Sequence, residues 1–589
     1  MKLFPTFNEL LVKARATFVR FPLVLLWAVA GTVFAVYLVE IEPNEIVPYA
    51  LNYLLTAILG VSWLIGTRFL IEQLNNRKQW LLLITLLLLF LFFWHLPNTY
   101  GDVRSVDYWI RFALYLLAGH LFVLFAPFVF NYGANSYWNY LRSVFLAIFR
   151  SLLYTLVLYL GIVLALLAIK YLFNVDFHEK RFFQVFVLCI GIVNTWIYLS
   201  DFPGEIHTAI EIDFIKALEV LVKYILIPLV ILYIVILYAY SLKIVIQWEL
   251  PKGWVSYLVT ALAFLGFFIQ LLIDPVQKRQ ETGLLKKFQP WFYVLLLPLL
   301  VLLFVAIFTR ISDYGFTENR YFVLTLAFWI TGISVYILLS KRKQVRYFAM
   351  SLALLILLIS FGPWGAFSVS AKSQLNQFTK VYGEIKAKDF KITSSENEQF
   401  TSIVRYLFEK KQLDKVKPIL GFNPTDKFDT KYAYQMASDL KDTLKVEVIY
   451  DPKTDFISSY RTFNLDQNEP VNIKGYDFLK WVRFSNAVEN KVSEYTFQLD
   501  SVNKITVYRS NSLIENVHLS DLIKGLSASQ EYREIPPYKM TVDVVSDSLN
   551  ARILFKEMSL DYSNRTKDSL PVINWATAYI LIKEHVEQN

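Results

Sequence analysis

The hydrophobic residues of this chain fall into long uninterrupted runs that fill roughly its first 364 positions. Each run is about 18–25 residues long, and short polar loops separate neighbouring runs. A bilayer core about 30 Å thick needs about 20 apolar residues at the rise of an α-helix. Only a helix satisfies its own backbone polar groups within one such segment. The pattern therefore predicts an α-helical polytopic membrane protein with about eleven transmembrane helices.

The predicted spans share this length and an apolar interior. A short amphipathic stretch from Phe7 to Val19 precedes the first of them. The spans lie near residues 21–39, 46–70, 80–96, 108–130, 152–173, 182–202, 224–242, 255–273, 291–309, 321–339 and 347–361.

After Trp364 the pattern changes to the alternation of apolar and polar residues that half-buried strands show. We predict helices at 373–385, 396–411 and 518–526, and strands at 445–450, 459–464, 494–499, 504–508, 540–545, 551–555 and 573–582. The expected organisation is a cytoplasmic amphipathic segment (1–20), a transmembrane helical domain (21–364) and a soluble α+β domain with antiparallel sheet (365–589).

Composition and charge agree with this class. The chain is 56% hydrophobic and 17% aromatic, with a net charge of +9. The tail is close to neutral, so the excess cations lie near the helix ends, which argues against a nucleic-acid partner. A cytoplasmic N-terminus places roughly twice as many cations in the inner loops as in the outer ones. With an odd number of spans we expect a bacterial inner-membrane protein whose C-terminal domain is extracytoplasmic.

Few polar residues fall within the predicted spans. Arg111 and His120 lie nine residues apart in the fourth span, so they face roughly opposite sides of that helix. Asn194 in the sixth span is a candidate for a hydrogen bond between helices. Ionisable groups at bilayer depth are costly and often functional. Their scarcity here argues against an ion-coupled pump.

Motifs of familiar chemistry are missing from the sequence. It has no phosphate-binding G-x-x-x-x-G-K-[ST] loop, no G-x-G-x-x-G turn and no H-E-x-x-H helix. We therefore predict no cofactor and no metal site. The single cysteine, Cys189, lies in an apolar run and is expected to be a small buried residue. Catalysis is left undecided.

Loops on the predicted outer face carry more polar detail than a simple connection needs. Thr317 and the residues after it are suited to cap the tenth span, and we expect ion pairs among Arg310, Asp313, Glu318 and Arg320. Structural turns and docking remain the alternative to a shared binding site. The candidate cluster consists of Trp248, Glu249, Lys252, Asp313, Tyr314, Glu318, Asn319 and Arg320.

These loops also carry a family resemblance. The chain resembles a family of multi-pass bacterial membrane proteins known only by a domain of unknown function, DUF4153. The resemblance implies a polytopic core and an extracytoplasmic tail, and it brings no reaction or cofactor. It rests on Arg20-Phe21-Pro22, the segment from Trp248 to Trp254, Asp313-Tyr314-Gly315, the segment from Thr317 to Tyr321, Gly362-Pro363-Trp364, Ser373-Gln374 and the segment from Lys474 to Asp477.

Three classes of function fit these observations. The first is an envelope scaffold or sensor whose outer domain binds an envelope protein or a small ligand. The second is a transporter or channel for a lipid or another hydrophobic solute, which needs no charges at the midplane of the membrane. The third is an enzyme acting at the outer membrane–water interface. The lipid bilayer is the partner common to all three, and the sequence leaves the oligomeric state open.

Overall fold

A computed structural model describes most of the chain. The described residues are 7–41, 49–74, 76–96, 106–207, 216–247, 254–277, 284–449, 460–466, 469–485, 488–500, 503–510, 512–528, 535–546, 548–561 and 570–583. They form two compact units. The helical unit comprises Met1–Ala387 and Gln399–Leu444, and the sheet unit comprises Lys388–Glu398 and Lys445–Asn589.

The helical unit opens with α1 (Phe7–Arg20), followed by α2 (Pro22–Glu40), α3 (Ala50–Gln73), α4 (Trp80–His95), α5 (Val106–Phe125) and α6 (Ala134–Phe173). Helix α7 (Glu179–Ser200) contains a π-helical segment, Cys189–Asn194, and α8 (Leu218–Gln247) contains another, Leu221–Leu226. They are followed by α9 (Trp254–Gln277), α10 (Leu284–Tyr314), α11 (Glu318–Leu339) and α12 (Arg346–Ser360).

Further helices follow the last apolar one. They are α13 (Ala366–Ala387), α14 (Ser394–Glu409), α15 (Lys417–Leu420), α16 (Pro424–Lys427) and α17 (Ala433–Leu444), with a 3-10 turn at Leu413–Val416. Helix α13 is amphipathic and buries one side through residues such as Phe367, Phe378 and Val381.

The apolar runs predicted from the sequence form helices, and the predicted fold class is confirmed. In the described part of the chain, nine helices are long and apolar enough to cross a membrane. Two shorter apolar helices, Trp80–His95 and Arg346–Ser360, coincide with the third and eleventh predicted spans. The protein is therefore an integral, multi-pass membrane protein, and eleven is an approximate span count.

Helix α6 departs from the predicted length. It is continuous over 40 residues, which is about 60 Å at 1.5 Å per residue and about twice the thickness of the hydrocarbon core. Its second half is the predicted span, and its first half lies before that span. The side chains of Trp138 and Tyr140 in the first half donate hydrogen bonds to the carbonyls of Leu272 and Val123, at 3.0 and 2.7 Å.

Close packing of small residues joins the first helices. A side chain on Gly60 has no room, since a Cβ there would lie 2.2 Å from Nε1 of Trp27. That indole donates a hydrogen bond to the carbonyl of Ala57 at 2.9 Å. A Cβ on Gly191 would lie 2.1 Å from the hydroxyl of Thr32. Small residues let helix backbones approach closely in membranes, so these positions hold α2 against α3 and α7.

Arg20, the last residue of α1, ties the end of that helix to the end of α3. The Arg20 guanidinium donates to both carboxylate oxygens of Glu72, at 3.0 and 2.9 Å, and to the carbonyl of Pro203 at 2.8 Å. It also lies over the rings of Phe21 and Phe69. Bidentate pairing of this kind fixes geometry as well as charge, so Arg20 orients three segments at this end of the helices.

The sheet unit contains three sheets and one longer helix, α18 (Ser520–Ala528). The strands are β1 (Lys391–Thr393), β2 (Glu447–Ile449), β3 (Tyr460–Asn464), β4 (Phe478–Ser485), β5 (Glu489–Val492), β6 (Tyr495–Leu499), β7 (Lys504–Arg509), β8 (Ser512–His518), β9 (Thr541–Val545), β10 (Asn550–Asp561) and β11 (Val572–Lys583). A short 3-10 turn lies at Pro537–Lys539.

Antiparallel pairing dominates these sheets, as the sequence predicts. Strands β5-β6-β7-β8 form a four-stranded meander, and β3-β10-β11-β4 form a larger sheet in which β9 also pairs with β10. The β1–β2 pair is parallel. The sheet unit has its own apolar core, to which Phe484, Phe497 and Phe555 contribute side chains with no exposed surface.

Asn503 connects three parts of the sheet unit. It is 6% exposed and has a left-handed backbone, with φ of 60°. Its amide donates to the carbonyl of Pro571 at 2.8 Å and accepts from the backbone N–H of Ile573 at 2.7 Å. Its own carbonyl accepts from Leu519 at 3.0 Å. The residue thus links the start of β7 to the start of β11 and to the end of β8.

We predict that Asn503→Ala destabilises the sheet unit by about 2–3 kcal/mol, because two buried backbone groups lose their partners and alanine disfavours a positive φ. Limited proteolysis of the purified full-length protein in urea measures this change. Asn516→Ala, at an exposed position of β8, is the matched control. Equal resistance of the two variants would show that Asn503 is not a structural link.

Candidate functional site

Side chains of Ser373 and Gln374, which belong to the segments that carry the family resemblance, fasten the loop between α10 and α11 to α13. The amide of Gln374 donates to the carbonyls of Tyr314 and Phe316, at 2.9 and 2.8 Å. The hydroxyl of Ser373 accepts from the backbone N–H of Phe316 at 2.9 Å. Gly315 has φ of +71°, and a Cβ there would lie 2.8 Å from Cγ of Gln377. The turn therefore needs glycine for both its backbone and its closeness to α13.

Two further contacts secure the same end of the helices. The Tyr321 hydroxyl donates to the carbonyl of Trp364 at 2.7 Å, which joins α11 to the turn after α12. The Arg320 guanidinium donates to the carbonyls of Tyr314 and Gly315, at 3.3 and 2.9 Å. We call this end, where α12 passes to α13, the tail-side end of the helical unit.

A bridging lysine lies at the tail-side end. The ammonium of Lys410, just after α14, pairs with the carboxylate of Asp107 and, at 3.1 Å, with that of Glu318. The Tyr406 hydroxyl donates to the same oxygen of Glu318 at 2.8 Å. Glu318 is only 7% exposed. A buried carboxylate is costly unless it is paired and hydrogen-bonded, and these two partners meet that need. The bridge joins α5, α11 and α14.

The surroundings of the Tyr406 hydroxyl change its pKa. Burial, together with the nearby Glu318 carboxylate, raises the pKa of Tyr406 above the ordinary tyrosine value. The group therefore stays protonated, and remains a hydrogen-bond donor to Glu318, at a pH where a solvated tyrosine ionises.

Beside this bridge lies a polar cavity of about 510 Å³. Arg111 contributes to its wall from α5, where the guanidinium lies 4.3 Å from the centre of the Phe367 ring and 3.1 Å from Nε2 of His95. The charged residues of the wall are Asp107, Arg111, Glu318, Lys372, Lys410 and Lys415.

A second cavity, of about 790 Å³, lies among α2, α3, α5 and α7. Among the described residues its wall contains no lysine, arginine, aspartate or glutamate, and most of it is aliphatic. The hydroxyls of Thr32 and Ser62 in this wall donate to carbonyls of their own helices, Ala28 and Leu59, at 2.7 and 3.1 Å. Because these hydroxyls are already satisfied, the cavity presents an apolar surface. We call it the apolar cavity.

The polar side chains of the wall also include the hydroxyls of Thr195 and Tyr198 and the imidazole of His120. Its Nδ1 lies 2.8 Å from the carbonyl of Leu116. A carbonyl oxygen only accepts, so this contact places the proton on Nδ1 and leaves Nε2 as an acceptor. Among the described residues, no hydrogen bond to Nε2 is found. Arg111 and His120 line different cavities, consistent with the opposite faces expected from their spacing.

One wall of the apolar cavity is a π-helical segment of α7, Cys189–Asn194. Such segments insert an extra residue into a turn and occur frequently at functional sites. Ile190 and Gly191 from this segment face the cavity. Asn194 accepts a long hydrogen bond, 3.5 Å, from the hydroxyl of Thr155 in α6. Cys189 is buried and has a free thiol.

The structure distributes the other candidate residues unevenly. Trp248, Glu249 and Lys252 lie outside the described residues. Asp313, Tyr314 and Asn319 are exposed, whereas Glu318 is buried. The predicted ion pairs among Arg310, Asp313, Glu318 and Arg320 are not found in the described part of the chain, because Glu318 pairs with Lys410 and Arg320 with carbonyls.

The prediction that Thr317 caps the tenth span is wrong as regards its side chain. Thr317 occupies the N-cap position of α11, but its side chain makes no capping hydrogen bond. The carboxylate of Glu318, the first residue of α11, is directed to Tyr406 and Lys410 instead.

Sequence reasoning missed Asp107, Tyr406 and Lys410. Asp107 and Lys410 are 303 residues apart, and neither belongs to a motif with a known spacing. No feature of the sequence signals their pairing, because ion pairs of this kind assemble only in the folded chain. Within the described ranges, no group of three or more His, Cys, Asp or Glu residues has the geometry of a metal site.

Comparison with known proteins supports the family resemblance found in the loops. The model of the family described as domain of unknown function (DUF4153) matches residues 17–386. An uncharacterized protein of Pasteurella multocida (strain Pm70) is 33% identical over 232 residues. This match covers 38% of the present chain and 38% of that relative. No solved structure matches the chain. The region that matches the family model contains the membrane helices that line both cavities. It also contains the loop between α10 and α11 that is held by α13.

The raised pKa of Tyr406 gives a prediction for alkaline pH. Above about pH 10 a tyrosine in the unfolded chain loses its proton, while Tyr406 in the folded protein keeps it. The folded state then binds more protons, so the free energy of unfolding falls as the pH rises. We expect Tyr406→Phe to make this alkaline decline shallower in thermal unfolding measured from pH 9 to pH 12.

The control for this experiment is Tyr434→Phe, since Tyr434 is 69% exposed. That variant should decline with pH as the native protein does. A Tyr406→Phe profile parallel to both would contradict the assigned role. The comparison concerns slopes, because removal of the hydroxyl also lowers stability at neutral pH by leaving Glu318 with one partner fewer.

Proposed function

We propose, for a chain that belongs to the DUF4153 family of multi-pass membrane proteins, that it binds a lipid or another hydrophobic solute within the membrane and moves it along the helical unit. The apolar cavity is the observation that carries this proposal. Its volume, about 790 Å³, lies in the range of cavities that hold small organic ligands. Its wall belongs to four membrane helices, which gives a hydrophobic solute a route from the bilayer.

The absence of charged residues from this wall favours a hydrophobic ligand over an ion. A charge placed at bilayer depth needs a partner, and among the described wall residues the one nitrogen-bearing side chain is that of His120. Its Nε2 is oriented by the bond from Nδ1 to Leu116. We infer that Nε2 accepts a hydrogen bond from a hydroxyl or amide on an otherwise apolar solute. One such contact in an apolar cavity fixes orientation without requiring a charged ligand.

The π-helical segment supports movement as well as binding. Gly191 lies in this segment, and its backbone approaches Thr32 of α2 closely. A π-turn holds one residue more than an α-turn, so a return to α-geometry rotates the residues that face the cavity. Ile190 and Gly191 are those residues. A change of this kind alters the size of the cavity without breaking a salt bridge.

We predict that Ala35→Trp lowers the affinity for a fluorescent acyl-labelled phospholipid by about tenfold, because the indole fills space that the solute occupies. Ala35 lines the apolar cavity. The measurement is a titration of the full-length protein in neutral detergent, followed by fluorescence anisotropy. Native mass spectrometry of lipids retained through purification provides an independent readout.

Ala165→Trp is the matched control, since Ala165 is an exposed residue of α6 that does not line this cavity. It makes the same change of side chain within a span. Binding equal to that of the native protein is expected. If the two variants bind the probe equally, the cavity is not the lipid site and the proposal fails.

A second candidate function is an envelope scaffold or sensor. The observation that favours it is the separate sheet unit, which has its own apolar core and so presents a folded water-soluble surface on a membrane protein. In this proposal the sheet unit binds an envelope protein or a small ligand. The transporter is favoured over the scaffold if the Ala35→Trp variant loses lipid transfer while the sheet unit still binds its envelope protein or small ligand.

The orientation in the membrane is part of the proposal. We expect an inner-membrane protein with a cytoplasmic N-terminus and an extracytoplasmic tail, because cations are concentrated in the loops assigned to the inside. Alkaline phosphatase fused after Asn589 should be active. A fluorescent protein inserted between Lys341 and Arg346 should fluoresce. The reverse pair of results would place the tail in the cytoplasm and contradict the proposed orientation.

A further inference from the structure

We propose that the polar cavity at the tail-side end binds a phosphate group, supplied by a lipid headgroup or by a soluble phosphate compound. The cavity is lined by four cationic and two acidic side chains, which gives its wall a net charge of +2. The site is separate from the apolar cavity and does not depend on the function proposed for it, since the two lie on opposite faces of α5.

The charges in this wall are unequally compensated. Lys410 pairs with both carboxylates, Asp107 and Glu318. In the part of the chain that the structure describes, Arg111, Lys372 and Lys415 form no ion pair with a carboxylate. Lys410 neutralises one of the two negative charges of Asp107 and Glu318, so one negative charge remains. The three other cations therefore outnumber it in the wall of the cavity. An anion entering the cavity would complete the balance that the protein's own carboxylates leave incomplete.

Arg111 is positioned as a ligand-binding group. Its guanidinium is held over the Phe367 ring at 4.3 Å and contacts Nε2 of His95 at 3.1 Å. Its Nε is buried and has no hydrogen-bond partner among the residues that the structure describes. A guanidinium offers five donors in a planar fork that matches the oxygens of a phosphate. Stacking on the ring fixes the orientation of this fork before a ligand arrives.

A neighbouring cavity lacks the surplus of cations that the polar cavity has. It has a volume of about 700 Å³ and shares Asp107 and Lys410 with the polar cavity. Its charged wall residues are Asp107, Glu409, Lys410, Lys411, Asp414 and Lys431, three acidic and three basic. Its net charge is zero, so of these two cavities the one that contains Arg111 is better suited electrostatically to an anion.

The depth of the cavity indicates phosphate as the class of anion. Asp107 and Arg111 lie in the first two turns of the membrane helix α5, and Glu318 is the first residue of the membrane helix α11. Helix ends of this kind lie near the lipid headgroups, and a guanidinium flanked by lysines matches the charge and the geometry of a headgroup phosphate. A soluble phosphate compound reaches the same place from the aqueous side.

The test uses the full-length protein with two variants of equal charge. The double variant Lys372→Gln with Lys415→Gln removes two cavity cations, both on exposed side chains, so folding should be retained. The control, Lys380→Gln with Lys417→Gln, removes two exposed cations of the same unit that do not line either polar cavity.

Two probes distinguish the sources of phosphate. Native mass spectrometry counts phosphatidylglycerol retained from nanodiscs that contain phosphatidylglycerol and phosphatidylcholine. Calorimetry measures pyrophosphate binding to the protein in neutral detergent. We expect the cavity variant to bind one of the probes about tenfold more weakly than the native protein, and the control to bind it as the native protein does.

Loss in the nanodisc arm alone identifies a lipid headgroup, and loss in the calorimetric arm alone identifies a soluble phosphate. Arg111→Gln should show the same loss as the double variant, because it removes the oriented guanidinium. The proposal is overturned if the native protein binds neither probe above background, or if cavity and control variants bind both probes equally.

Discussion

The free-energy cost of a charge in hydrocarbon governs the arrangement of the helical unit. In the described part of the chain most charged residues of the membrane helices lie near helix ends, and the buried carboxylate of Glu318 is paired. At one end Arg20 holds Glu72 with two hydrogen bonds. At the tail-side end Lys410 joins Asp107 and Glu318. Between these ends, helix packing depends on small residues and aromatic rings, because hydrocarbon provides no hydrophobic drive for helices to associate.

The same cost separates two kinds of cavity along α5. Near its first turns, where water and headgroups are close, Arg111 lines a wall rich in charge. Deeper in the helix, His120 contributes the one imidazole among the described residues of a mostly aliphatic wall. Because nine residues separate them, they face opposite sides. The helix α5 therefore lines a charged cavity near its first turns and a mostly aliphatic cavity deeper in the membrane.

Sequence reasoning predicted the parts of this fold that depend on local pattern. The apolar runs became helices because length and composition alone decide that state in a bilayer. In the tail, β10 and β11 were recognisable by their alternation, whereas β4 and α17 were missed. Strand β4 is an edge strand with exposed Leu479 and Trp481, so its pattern lacks the alternation of a half-buried strand.

The candidate sites were less predictable, for a physical reason. The loop around Gly315 was singled out because glycine, proline and aromatic residues mark constrained turns. Its partner helix, with Ser373 and Gln374, is distant in sequence. The role of Glu318 depends on Tyr406, 88 residues away. Pairings across such distances follow from the folded chain, and no local pattern in one sequence records them.

The unbroken length of α6 gives the helical unit a mechanical property. A helix about 60 Å long without a proline behaves as a stiff rod, and its membrane half is largely exposed to lipid. A tilt of about 10° in that half swings the far end of the other half, about 27 Å away, by about 5 Å. Trp138 and Tyr140 connect the swinging half to α9 and α5. Any change in the tilt of the apolar half, such as a long helix makes to fit a bilayer of different thickness, would therefore also move the contacts at Trp138 and Tyr140.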